Sequence, residues 1–527
     1  MSELDRLTHL ARAGRLTRRE FLDRAAQLGV GTAAASSLLG SAAIAQTPNK
    51  GGHLKLGLTL GSSTDSLDPR ATTSTVMQVV SHQWGNALTE VDKDGELLPS
   101  LAESWEADEG AESWVFKLRQ GVTYHNGKEM DAEDVVYSIN LHRGPDSQSG
   151  AAGQMGQIKD VRATDKYEVT FDLVAGNADL PFVVSDYHLL IMPKDADPAA
   201  AIGTGGYMKE NFEPGVSWLG TRNPNYFKED RAHVDSVEIT VINDTTARTA
   251  ALRTGQVHLA NRMDPKTLSL LERGPDVQLL NSAGKGFYTV AMFVDTPPFD
   301  DVNIRLALKH AIDRQELLDK ILFGYGKLGN DHPIAEIDRF HADLPQREYD
   351  PDQAKFHLEQ AGYDGSPIVV HTSEAAFAGA TDAAVLFKEH AARAGINLEV
   401  VREPTDGYWD NVWLKDPFCF VYWGGRATPD MMFSVAYATG APWNDTHWAN
   451  ERFNELLIEA RAELNFDKRK EMYDEMQLLI RDDGGVIVPL FNDWLDAGRS
   501  NVQGWNYNGT WEMCGFRAPE ICWLSDV

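Results

Sequence analysis

The chain reads as an α/β protein built from two or three lobes. Short apolar runs rich in aromatic and β-branched residues stop at glycine or polar loops, as buried strands do. Between them lie longer stretches with apolar residues at helical spacing, notably 303–322 and 450–482. The length of 527 residues exceeds what one hydrophobic core usually organises.

Composition narrows the partners. Apolar content of 43% and charged content of 24% are those of a folded globular protein. The net charge of −29 disfavours nucleic acid and anionic lipid, both of which would repel it.

Taken in order, the chain opens on a targeting segment, residues 1–45. Arg18 and Arg19 precede Phe21-Leu22 in a twin-arginine export pattern, with Asp23 where a lysine is usual. An uncharged, Ala/Gly-rich stretch runs from Ala25 to Ala45 and ends in Ala43-Ile44-Ala45, an expected cleavage site. The stretch is too weakly apolar for a good membrane anchor. Its removal takes away six arginines and four acids and leaves a mature charge of −31.

Gly51–Leu60 reads as a first strand, and the polar loop after it offers Ser63 and Thr64 as lip residues of a crevice. The Asp94-Gly95 pair marks a turn between two short apolar runs. Trp114–Arg119 alternates as a strand, Asn126-Gly127 is a turn, and Asp131 sits at the N-cap of a helix through Val135, Val136 and Ile139.

Here the chain resembles a family. Pro99–Trp105, Trp114–Gly127 and Ala132–Ser138 resemble the signature of the bacterial extracytoplasmic solute-binding proteins of the peptide, oligopeptide and nickel class, family 5. The resemblance continues through Gly203–Tyr207, with Gly206 in place of a proline, and Asn223–Phe227. It goes on through Arg248–Leu252 with Gly255, where His258 stands in place of the usual aspartate. Pro298–Val302, Ala311–Arg314, Asp350-Pro351 and Ala361–Tyr363 complete it, so the motifs span roughly 52–505. The resemblance implies a periplasmic-binding-protein-like fold, two α/β lobes around a cleft with an extra subdomain inserted in the first. It sets the first lobe at 46–85, 204–292 and 489–527, the inserted subdomain at 86–203 and the second lobe at 293–488. It further implies hinge closure on a solute, delivery to the permease of an ATP-driven importer, and a periplasmic address without catalysis or cofactor.

The candidate site centres on Phe418–Trp423, read as a buried strand. It stops at Gly424-Gly425, a pair able to take positive φ and to let a ligand approach the backbone. Arg426 follows, either facing ligand or paired with Asp430. Tyr422, Trp423, Trp443, Asn444 and Trp84 are the other candidates, since a large indole on a loop makes a good cleft wall. In peptide-binding relatives an aspartate near the Trp-Gly of this strand receives the ligand's amino terminus. Here the position after Gly424-Gly425 is Arg426, whose fork suits a carboxylate or phosphate. The expected ligand is thus peptide-like or amino-acid-derived, an anionic, opine-like solute being one form of it. A metal chelate such as nickel is the alternative, and an exported hydrolase a more distant one.

Other chemistry finds little support. Gly324–Gly329 fits G-x-G-x-x-G but follows a helix rather than a strand, so the dinucleotide reading fails its context. The fifteen histidines are scattered, His390 reading as a helix-surface residue. Cys419, Cys514 and Cys522 lack zinc spacing. Cys514 and Cys522 are close enough in sequence to bridge, or all three are buried thiols.

Overall fold

The structure, a computed structural model, describes residues 48–527 except 145, 146, 148, 272, 273, 275 and 406. The expected targeting segment lies outside the described residues. Met1–Asn49 and Lys50–Val527 form separate units, and the second carries everything below.

Among the described residues, three sheets of four or more strands organise the body. The first has seven strands in the order Val277–Ser282, Trp494–Arg499, Leu259–Ala260, His53–Leu58, Ser236–Val241, Ser217–Arg222 and Tyr207–Glu213. His53–Leu58 runs parallel to both its neighbours. Burial of Leu54, Leu56 and Leu58 ties it to the core beneath. The second sheet has six strands: Gly326–Leu328, Val486–Asn492, Phe287–Met292, Phe418–Trp423, Ile368–Thr372 and Leu398–Arg402. Its core is the largest and takes in both faces.

Segment 86–203 forms its own four-stranded sheet, Ala102–Ala107, Ser113–Leu118, Glu168–Leu173 and Ile158–Asp165. The helix Ala132–Asn140 packs Val135 and Ile139 against Phe116 and Phe171. Asp131 caps that helix, and the Asp134 carboxylate returns a bond to the Asp131 N–H.

By strand pairing, the chain passes between the two large sheets near 283–286 and again near 492–494. Phe287–Met292 and Val486–Asn492 both pair inside the six-stranded sheet, beyond the boundaries expected at 292 and 488. The two crossings lie side by side: the Asn492 N–H donates to the Gly286 carbonyl at 3.0 Å. A Cβ on Gly284 would stand 2.2 Å from the Asn492 carbonyl oxygen, so only glycine allows that approach.

One helical expectation changes, and a second, open between one helix and two, is resolved. The 303–322 stretch is two helices, Val302–His310 and Arg314–Ile321. Asp313 breaks it by accepting the Glu316 N–H as an N-cap. The 450–482 stretch is likewise two, Glu451–Ala462 and Phe466–Asp483, the second capped by Asn465.

Candidate functional site

Phe418–Trp423 lies between an antiparallel and a parallel neighbour, so both its edges are paired, and burial on alternate sides shows both faces covered. Tyr422 is the exception, with half of its surface exposed. It sits opposite Tyr288, which stacks on Phe377 at 3.8 Å between ring centroids. Trp409 meets the Tyr422 ring edge-on.

Behind this lies a second aromatic group. Trp413, Trp423 and Trp443 touch one another, with centroids 6.0–6.3 Å apart. The indole N–H groups of Trp413 and Trp423 both donate to one carboxylate oxygen of Asp445, at 3.1 and 3.2 Å. Burial pushes the Asp445 carboxyl up to about 6, although both indole donors pull it down. Trp443 keeps 47% of its surface exposed, while Trp423 is buried.

Arg426 leaves the strand end and folds back. One terminal nitrogen donates to the Gly424 and Gly425 carbonyls at 2.9 and 3.2 Å. Among the described residues no carboxylate lies within ion-pairing distance of it. Asp430 is taken by Arg461 at 2.9 Å, which removes the Arg426–Asp430 pairing. Burial lowers the Arg426 pKa, and its nearest charged or phenolic neighbours are Tyr187, Asp186 and Tyr422. Asp186 is itself bound to His188 at 2.6 Å. The guanidinium is partly buried, bonded only to backbone carbonyls and with no carboxylate in ion-pair contact among the described residues, a state that favours an incoming anion.

The first sheet contributes a group that sequence reasoning missed. Arg262, at a positive φ of 48°, follows the end of Leu259–Ala260. Its guanidinium bonds Glu512 at 2.8–2.9 Å and covers the Trp494 ring. Burial pulls its pKa down but Glu512 more than offsets this, and Tyr422 also lies within its electrostatic reach. Glu512, 2% exposed, also accepts from Thr75 and Asn261. Beside it, Asp496 accepts the Met513 N–H at 2.9 Å. Burial and then the Glu512 charge push the Asp496 carboxyl up to about 8. Met513, Cys514, Gly515 and Phe516 all have left-handed φ, between 52° and 71°. Non-glycine residues visit that region singly, and a run of four is strain held by its surroundings. The turn aims Trp511 and Phe516 at Tyr187. Nothing in Asn261-Arg262-Met263 or Glu512-Met513-Cys514 announces this in sequence.

Several expected site residues are placed elsewhere. Trp84 is wholly buried in the first core and presents no face to a ligand. Asn444 is a loop clamp: its amide donates to the Ala438 and Trp448 carbonyls, and its oxygen accepts from Thr446. Ser63 and Thr64 are exposed, with the Ser63 backbone packed against the turn at Gly215. Neither glycine of Gly424-Gly425 has positive φ. Gly425 is required because a Cβ there would meet the Lys285 Cβ at 2.6 Å. His390 is buried rather than on a helix surface: its Nδ1 accepts the Asp313 N–H, and its Nε2 bonds Glu316 at 2.8 Å. Asp313, Glu316 and His390 thus converge, but as a cap and its supports. All three cysteines are free and buried, so Cys514 and Cys522 form no disulfide.

Several known proteins are similar to this chain over most of its length. The model described as "Bacterial extracellular solute-binding proteins, family 5 Middle" matches residues 96–445. Di/tripeptide-binding protein 1 of Pseudomonas aeruginosa is 24% identical over 488 residues, 85% of this chain and 90% of that protein. The dipeptide-binding protein of Escherichia coli is 23% identical over 521 residues, 86% of this chain and 96% of its own. Among solved structures, HbpA2 of Haemophilus parasuis superposes with a TM-score of 0.79 at 20% identity, covering 90% of this chain and all of that one. The protein AgaA of A. tumefaciens R10, in complex with agropinic acid, has a TM-score of 0.74 at 20% identity, covering 90% and 99%.

Proposed function

Because the chain belongs to the bacterial extracellular solute-binding proteins of family 5, we propose that it captures an anionic, amino-acid-derived solute and hands it to an importer permease. Relatives of this family are binding proteins, and the reading here is capture without turnover. The observation that carries the ligand class is Arg426, partly buried at the strand end with only backbone carbonyls as partners. A fork in that state binds a carboxylate bidentately. The exposed Tyr422 ring, within electrostatic reach of Arg426, supplies an apolar wall there.

A free peptide amino terminus finds no matching carboxylate at this strand end. Asp430 is committed to Arg461, and Asp445 lies behind two indoles. The agropinic acid in the AgaA complex, an acid by name, is an example of the anionic solutes proposed. Capture takes place outside the cytoplasm in this reading, after export directed by Arg18 and Arg19.

Native mass spectrometry of the protein purified from its source tests the proposal, since a co-purified solute names the class directly. An opine-type acid or other amino-acid-derived anion is expected. A neutral dipeptide in the cleft would return the chain to the peptide binders. Titration calorimetry with agropinic acid and with a dipeptide panel gives the second measurement, and tighter binding of the acid is expected.

A further inference from the structure

Segment 86–203 touches the second large sheet's lobe at several points, among them Glu96 and Phe182 against Arg339, and at a deeply buried ion pair. Asp179 and Arg469 meet there: Nη1 donates to Oδ1 at 2.7 Å, and Nη2 lies in ion-pair contact with Oδ2 at 2.6 Å without a second hydrogen bond. Their side chains are only 1% and 6% exposed. Arg469 is fixed from its own side by the Ala460 carbonyl and the Tyr473 hydroxyl, each at 2.9 Å. One residue before Asp179, the Ala178 N–H donates to the Arg461 carbonyl at 2.7 Å. The partners are far apart in sequence and belong to different sheets' lobes. Among the described residues the chain crosses between the large sheets near 283–286 and 492–494, so this contact is not enforced by a nearby covalent link.

The same Arg461 leads onward to the candidate site. Its side chain holds Asp430 at 2.9 Å and Ser434 at 2.6 Å. Asp430 lies in the first turn of the helix Pro429–Ala436, which begins three residues after Arg426. A continuous run of bonded groups thus joins segment 86–203 to the loop that carries the ligand-facing guanidinium.

We propose that the Asp179–Arg469 pair is a closure latch, two positioning residues that hold segment 86–203 to the second lobe and steady the Arg426 loop without touching ligand. A buried ion pair is a poor source of net stability but a sharp switch, because breaking it leaves a charge buried unless the surfaces separate. The latch therefore favours two states, closed with the pair made or open with both groups hydrated, over intermediates. The proposal concerns the lobes' own equilibrium, so it stands or falls independently of which solute is bound.

Single-molecule energy transfer on ligand-free protein tests it. Cysteines replacing the exposed Lys159, in segment 86–203, and Glu359, in the second lobe, carry the dyes, the native cysteines being buried. The unsubstituted latch is expected to show a minor closed population. Asp179→Asn, nearly isosteric, and Arg469→Gln should each reduce it at least tenfold, with the ligand-free melting temperature little changed. Amide exchange across 424–430 should quicken in the same variants. Equal closed populations with and without the pair, or no closed population in the parent, would overturn the latch.

Discussion

Arg426 is where a single side chain decides most. If its guanidinium receives the ligand's anionic group in a closed cleft, its loss leaves that charge unpartnered, which costs about 2–5 kcal/mol. Arg426→Ala should therefore keep the fold and the ligand-free melting temperature but weaken binding of the co-purified solute by about tenfold or more. Titration calorimetry on both proteins measures it, and equal dissociation constants would remove Arg426 from the site. Asp445 offers a pH test. Its carboxyl is raised from 3.8 to about 6 in the folded protein, so between those values the folded state holds the extra proton. Stability from this group is then present below about pH 4 and lost as pH rises through 6. Asp445→Asn keeps an acceptor for both indoles and removes the buried charge. Its melting temperature should exceed the parent's at pH 7.5, with the gap shrinking towards pH 4. At this scale the sequence disclosed Arg426, since an arginine after a strand and two glycines is conspicuous. It did not disclose Arg262, whose significance comes from Glu512 and Trp494, brought in from more than 200 residues away. It misled on Trp84, because an indole inside a core and one on a cleft wall read alike in one dimension.

Among elements, capping explains what periodicity hid. Apolar spacing runs unbroken through 303–322, so the stretch reads as one helix, yet Asp313 ends one helix and begins another. The Asp313-x-x-Glu316 spacing was a start signal in plain view, outweighed by the stripe. Asp313→Ala should destabilise the protein by about 1 kcal/mol, the usual worth of an N-cap. His390, whose Nδ1 accepts the Asp313 N–H, sits in the same cap. Equilibrium unfolding in urea checks it, with a lower midpoint and unchanged slope expected. The strand Phe418–Trp423 was legible to its ends because its residues are β-formers buried on both faces and glycines stop it. The reason for the glycines was not legible: Gly425 answers to Lys285, a residue remote in sequence. Gly425→Ala should thus cost about 1–3 kcal/mol through overpacking. A melting temperature equal to the parent's would show that Lys285 yields freely.

Over the whole molecule, family resemblance carried the architecture, and local pattern supplied little of it. Strand order depends on pairings such as His53–Leu58 with Ser236–Val241, which join segments nearly two hundred residues apart. With saturating co-purified solute, small-angle scattering should give a smaller radius of gyration than for the stripped protein, as hinge closure requires. An unchanged profile would sink the two-state reading. Replacing Arg18 and Arg19 by lysines should leave precursor in the cytoplasm, and cell fractionation with immunoblotting reads that outcome. The paired crossings near 283–286 and 492–494 bear on what kind of closure this is. Two adjacent crossings joined by a backbone hydrogen bond favour bending together, so closure about them is expected to turn about one axis. A bulkier solute would then be accommodated by a wider final angle, not by a different docking pose. The permease, meeting a protein with a single angular coordinate, could grade its cargo by that angle alone.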